Sequence, residues 1–166
     1  MASCAGERGK TGPGGLQLAE KTREQRWLAE LLARLPAADC AGCHQCASRC
    51  AGEINMTRTE YERIHEFLGG CAPFTSVRKR SEMAKPCGFR DPEGDGCVVY
   101  PVRPLICRLF GVVQWLPCPI AAVPVLVPDG VELMRQYMTF ERRTYRQWQR
   151  ELTATQSTRG EPRRRR

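Results

Sequence analysis

Apolar and polar positions along the 166-residue chain form short helical patches separated by long aperiodic stretches. Between Leu16 and Leu35 the apolar positions Leu28, Leu31, Leu32 and Leu35 recur at helical spacing with charges between them, and Pro36 closes the predicted helix. Thr57-Arg-Thr-Glu60 has the S/T-x-x-E form of a capping box and predicts a second helix. That helix runs through Tyr61, Ile64, Phe67 and Leu68 and stops at Gly69-Gly70, which supply a left-handed turn. A short helix is expected across Ser76–Ala84. Val98-Val99-Tyr100 reads as a short strand, and Pro101 and Pro104 bracket an extended link. Pro104 suits the first position of a helix over Leu105 to Phe110. A long amphipathic helix is predicted from about 130 to 151, with Val131, Leu133, Met134, Tyr137, Met138, Phe140, Tyr145 and Trp148 on its apolar side. Arg142, Arg143, Arg146 and Arg150 then form its solvated face.

The remaining segments set the domain plan. Residues 1–19 form a flexible lead rich in glycine, residues 20–151 the folded domain, and residues 152–166 a disordered basic tail with no large apolar residue after Leu152. The net charge is +8, and Arg159 with Arg163 to Arg166, less Glu161, accounts for half of it. Such a run can attract phosphate backbones or acidic partners without sequence specificity, but with no aromatic residues interleaved and no nucleic-acid fold evident it reads first as a solubilising tail. The most apolar stretch, Val112 to Pro128, is broken by Gln114 and four prolines, which excludes a regular membrane helix. No secretory signal is visible at the start, so the chain reads as cytoplasmic.

Cysteine changes the picture most, with ten residues against two histidines. Cys40, Cys43, Cys46 and Cys50 are spaced C-x2-C-x2-C-x3-C, so four thiols share one tight loop. Soft thiolates select zinc, copper(I) or iron–sulfur clusters over magnesium or calcium. The spacing matches a bacterial [4Fe–4S] run, except that Ala51 stands where proline usually follows and no second run exists. Cys87, Cys97 and Cys107 form a second group, the first two drawn together by the turn signal Asp91-Pro-Glu-Gly-Asp-Gly96. Cys107 falls in the first turn of its helix, where the N-terminal dipole favours a thiolate, and Arg103 and Arg108 flank it to offset negative charge. Cys118, in an apolar loop, is an eighth candidate. Cys4 reads as an exposed thiol, Cys71 as a core residue, His44 as a loop residue beside sufficient thiols, and His65 as a satisfied helix residue.

These residues resemble the YkgJ-type cysteine-cluster family, a zinc- or iron-chelating domain. The parts appear in the family's order from Cys40 to about Cys118: Cys40-Ala-Gly-Cys43, then Ile54-Asn-Met-Thr57 with Glu60, then Cys87. Next comes Gly96-Cys97-Val-Val-Tyr100-Pro-Val-Arg103-Pro104-Leu-Ile-Cys107-Arg108-Leu-Phe110, which follows the family's Cys-x-Ile-Tyr-x-x-Arg-Pro-x-x-Cys-Arg-x-Phe signature. Where the family closes its first cluster with adjacent cysteines, Cys46 here precedes Ala47 and the next thiol is Cys50, so the assignment between Cys46 and Cys50 stays open. Cys87-Gly-Phe-Arg90 replaces the usual Cys-Pro-Phe-Leu. The resemblance implies metal chelation and no established reaction.

The expected fold is mainly α: a small, irregular helical domain with long loops around a cysteine-ligated metal centre. Its candidate ligands are Cys40, Cys43, Cys46, Cys50, Cys87, Cys97, Cys107 and Cys118. Seven or eight thiols exceed the four that a closed zinc site needs. They suffice for a [4Fe–4S] cluster with spare thiols, and hence an oxidoreductase or electron carrier, or for two zinc sites. The alternative is a zinc-stabilised interaction module whose tail meets nucleic acid or protein. No Gly-rich nucleotide loop, Ser/His/Asp set or paired catalytic carboxylates assigns a reaction.

Overall fold

The computed structural model describes residues 22–35, 50, 52–71, 87–91, 96–118 and 124–159, with the side chains of 155–159 left aside. The expected flexible lead, the loop holding Cys40, Cys43, His44 and Cys46, the short helix over 76–84 and residues 160–166 lie outside these residues. Two units divide the chain, one ending at Arg34 and the other starting at Leu35. The first contains α1 (Arg23–Arg34), whose buried side chains are Leu28 and Leu31. Its start is a reciprocal cap. The Thr22 N–H donates to Gln25 Oε1 at 3.0 Å, and the Gln25 N–H donates to Thr22 Oγ1 at 3.2 Å.

The second unit is mainly helical, in agreement with the expected fold class. It contains β1 (Asn55–Met56), α2 (Arg58–Phe67), a single 3-10 turn (Tyr100–Val102), α3 (Leu105–Arg108), α4 (Gly130–Tyr137), β2 (Arg143–Thr144) and α5 (Tyr145–Arg159). α2 begins as predicted: Thr57 is its N-cap, and both halves of the capping box with Glu60 are formed. Gly69 and Gly70 end the helix region at φ of 62° and 80°, a conformation that side chains with a Cβ rarely adopt.

Three expected elements differ. Val98 to Tyr100 is no strand: pairing with the preceding segment ends when the Val98 N–H donates to Phe89 O. The chain then tightens, with the Tyr100 N–H donating to Cys97 O and the Val102 N–H to Val99 O, and Pro101 sits inside the 3-10 turn. The helix after Pro104 is one turn long and stops at Arg108, short of Phe110. Gly111, at φ 86°, turns the chain away.

The long C-terminal helix is two helices. α4 ends at Tyr137, and Arg143–Thr144 pairs antiparallel with β1, Asn55 opposite Thr144 and Met56 opposite Arg143. Thr144 and Gln147 then cap α5 reciprocally, the Thr144 N–H meeting Gln147 Oε1 at 2.8 Å and the Gln147 N–H meeting Thr144 Oγ1 at 3.3 Å. α5 runs to Arg159, past the expected end at 151, so the segment 152–159 is helical rather than part of a disordered tail.

Met56, Tyr61, Ile64, Cys87, Phe89, Val99, Tyr145 and Trp148 form one buried core cluster. Trp148 also fastens α5 to β1, its Nε1–H donating to Met56 O at 2.9 Å. Tyr137, Tyr145 and Trp148 are all buried, as their spacing predicts. α4 approaches the 112–116 turn closely: a Cβ on Gly130 would fall 2.5 Å from Val113 Cγ1, so only glycine fits without displacement.

Candidate metal centre

Four of the predicted cysteines are brought together by backbone pairing. The Cys87 N–H donates to Cys50 O at 3.2 Å, which sets the end of the first thiol loop beside the second group. Arg90 and Cys97 form an antiparallel bridge, reinforced where the Asp91 N–H donates to Gly96 O. The turn between Cys87 and Cys97 therefore does what its composition predicts. Cys107 comes from α3, ten positions further on, and completes the wall.

Cys50, Cys87, Cys97 and Cys107 line a single cavity of about 420 Å³. Phe89, Val99, Ile106, Phe110 and Met134 make its walls largely apolar, and Arg90, Arg103 and Arg142 bring positive charge to it. The thiols feel one another. Burial pushes the Cys107 thiol well above the usual range, and Cys50, Cys87 and Cys97 push it further, while Arg103 pulls it back. Burial likewise raises the Cys87 thiol. The balance at Cys107 therefore lies toward the neutral thiol, against the thiolate expected at a helix start. α3 has a single turn, and its Leu105 N–H is already taken by a carboxylate, that of Glu60.

A soft divalent cation reverses this balance, because a coordinated thiol is deprotonated outright. Thiol donors, apolar walls and a nearby arginine fit zinc or iron and do not fit an oxygen-seeking cation. Among the described residues, the thiols share a wall without meeting at one point: no three His, Cys, Asp or Glu side chains are placed to hold a metal ion together. Cys40, Cys43 and Cys46, which precede Cys50 in the sequence, lie outside the described residues. Cys118 is not among the lining residues; its Cβ lies 3.4 Å from where Gly111 would carry one. No disulfide joins the described cysteines.

The flanking arginines divide their roles. Arg108 turns from the thiols to the backbone, its Nε donating to Arg103 O at 2.9 Å and its Nη2 to Pro101 O at 2.6 Å. It thereby fixes the bend between the 3-10 turn and α3, while its charge also interacts with Cys107. Arg103 faces the cavity, its guanidinium 3.7 Å from the centre of the Tyr100 ring. The solvated face expected of the C-terminal helix also changes, since Arg142 lies between α4 and β2 and lines the cavity. Arg143, in β2, is ion-paired to Glu141 and Glu151.

Behind the cavity sits a residue whose reach the sequence did not disclose. Glu60 is 3% exposed. Its Oε1 accepts from the Leu105 N–H at 2.6 Å. Its Oε2 accepts from the Thr57 N–H at 2.8 Å and from the Tyr137 hydroxyl at 2.6 Å. One carboxylate thus joins the starts of α2 and α3 to the end of α4, and so holds Cys107 in register. Burial raises the Glu60 pKa above the ordinary value, opposed first by the Tyr137 hydrogen bond. Further off, His65 Nδ1 lies 2.8 Å from the Tyr145 hydroxyl, a satisfied contact between α2 and α5 as expected. Cys71 is half-buried, and its carbonyl accepts from the same hydroxyl at 3.2 Å.

No helix among the described residues is long and apolar enough to cross a membrane. Neither a curated protein nor a solved structure matches the chain. Residues 39–148, which hold the four cavity cysteines and the loop before them, match the CxxCxxCC family, described as "Putative zinc- or iron-chelating domain". With well over half of its length inside that match, the chain belongs to the CxxCxxCC family of zinc- or iron-chelating domains.

Proposed function

We propose that the chain holds a thiolate-ligated zinc or iron centre in the cavity lined by Cys50, Cys87, Cys97 and Cys107, with Cys40, Cys43 and Cys46 supplying further ligands from the preceding loop. The observation that carries this reading is the convergence of thiols from separate segments on one largely apolar cavity. Cysteines buried merely as small apolar side chains have no reason to gather beside arginines. Cys118 stays outside the proposed set. A zinc ion there ties loops together and contributes folding free energy, whereas iron or an iron–sulfur centre adds one-electron chemistry. In either case the chain's own residues shape the centre: Glu60 fixes α3, Arg108 fixes the bend before it, and Arg103 lowers the cost of gathered negative charge.

Anaerobic purification followed by visible absorption and iron, sulfide and zinc analysis tests the reading. Brown protein with near-equal iron and sulfide establishes a cluster and makes electron transfer the function. Colourless protein with stoichiometric zinc establishes a structural centre and removes electron transfer. Protein that takes up neither metal, even after anaerobic reconstitution, overturns the proposal.

A further inference from the structure

Arg103 and Arg142 share the thiol cavity, and the Nε of each is buried without a hydrogen-bond partner. Ion pairs among the described residues engage Arg58, Arg135 and Arg143, never these two. A buried N–H left without an acceptor is unfavourable, so two such arginines lining one cavity require an explanation. Both guanidinium groups are steered. Arg103 lies over the Tyr100 ring, and Arg142 lies 5.5 Å from the centre of the Tyr137 ring. Tyr137 is itself held by its hydroxyl bond to Glu60, so the surface under Arg142 is fixed. Two carboxylates lie nearby and neither is ion-paired to these arginines: Glu53 lines the same cavity, and Glu60 spends its oxygens on Leu105, Thr57 and Tyr137.

We propose that Arg103 and Arg142 form an oxyanion-binding site in this cavity, for a small organic molecule carrying a carboxylate or phosphate group on an apolar body. Guanidinium forks match the oxygen geometry of both groups, and desolvation strengthens such charge-assisted bonds. Ile106, Phe110, Leu116 and Met134 supply the surface for the apolar part. The volume, about 420 Å³, lies within the roughly 300–1,000 Å³ of small-molecule sites. The site deepens the metal-binding reading by placing a ligand beside the centre, but it depends on the arginines rather than on the metal.

The test is isothermal titration of the full chain, as purified with its metal, with benzoate and with phenyl phosphate at constant ionic strength. Metal content is measured on every sample. At least one probe is expected to bind saturably, and the preferred probe tells carboxylate from phosphate. Arg142→Gln should weaken that binding tenfold or more at unchanged metal content, and Arg103→Gln should weaken it tenfold or more per metal-loaded molecule, whereas the exposed Arg150→Gln should not change it. Should Arg142→Gln fail to fold, Arg142→Lys decides: it keeps the charge without the fork and should still weaken the probe. Absence of saturable binding by metal-loaded wild type overturns the site, as does undiminished binding by the Arg142 variants. Loss of metal from Arg142→Gln with probe affinity per folded molecule retained overturns it too, and assigns the arginine to the charge of the centre. Metal-free wild type that binds the probe supports the site while counting against the proposed centre.

Discussion

Two buried polar regions flank the Pro104–Leu105 junction, and they are resolved in opposite ways. Glu60, on one side, is surrounded by protein donors: two backbone N–H groups and a tyrosine hydroxyl meet its carboxylate. The cavity, on the other, sets four thiols beside two arginines whose Nε atoms meet no protein acceptor. Burial without partners is unfavourable, so a fold that satisfies one site fully and the neighbouring one incompletely separates its scaffold from its chemistry. Glu60 spans three elements and makes them one frame. Arg103 and Arg142 hang on that frame, with their buried Nε atoms left without a protein acceptor.

Metal removal should test this contrast most severely. Structural zinc in small domains is worth about 10–16 kcal/mol of apparent free energy, comparable with the whole stability of a domain. Verified stripping of the metal, or Cys97→Ser, should therefore abolish cooperative thermal unfolding of the domain. An unchanged melting curve would show that the frame stands without the cavity.

The frame should fail next. Glu60→Ala strands the Leu105 and Thr57 N–H groups and the Tyr137 hydroxyl, at about 1–3 kcal/mol for each group left dry. A loss of about 3–5 kcal/mol in urea unfolding of the metal-loaded protein is expected. Tyr137→Phe removes a single donor and should cost about 1 kcal/mol.

A smaller effect is expected beside the cavity. Gly111 holds φ at 86°, so Gly111→Ala should cost about 1–2 kcal/mol from backbone conformation, with its new Cβ pressed against Cys118. Metal stoichiometry should stay intact in that variant, and loss of metal would bring Cys118 back among the ligands.

The effect should nearly vanish at the arginines. Arg142→Met removes an unsatisfied N–H along with a cation–ring contact, and should leave stability within about 1 kcal/mol of wild type. A loss as large as that of Glu60→Ala would erase the distinction between frame and cavity. Glu62→Gln, which breaks the exposed pair with Arg58, sets the floor at about 0.3–0.5 kcal/mol.

Local chemistry was legible in the residues; distant contacts were not. The capping box at Thr57 and Glu60 marked the start of α2 because the signal lies within one turn. The same grammar stood at Thr144-Tyr-Arg-Gln147 and passed unread, since apolar periodicity continued across residues 138–144 and suggested one helix. Periodicity reports which positions are apolar, and it is blind to a chain that reverses and keeps its apolar side inward. Spacing and turn composition marked Cys87, Cys97 and Cys107 as a group, and the structure brings them onto one cavity with Cys50. Helical periodicity places Arg142 toward solvent, because its position at the cavity depends on β1 and β2, two short strands whose pairing no local pattern announces. Glu60 was recognised as a helix cap, yet its bond to Leu105 joins positions 45 apart.

The pairing of β1 with β2 also orders events in time. Cys50 and Arg142 face the same cavity, but about ninety residues separate them along the chain. At roughly 5–20 residues per second, synthesis of that interval takes about 5–20 s. In the later part of it the first thiols have emerged from the ribosome while the wall from Met134 to Arg142 does not yet exist. The nascent loop is thus open to oxidants and to whichever soft cation is at hand, and metal identity becomes a race between delivery and enclosure. Pulse-labelled chains arrested before residue 134 should accordingly exchange metal far faster than chains extended past residue 148.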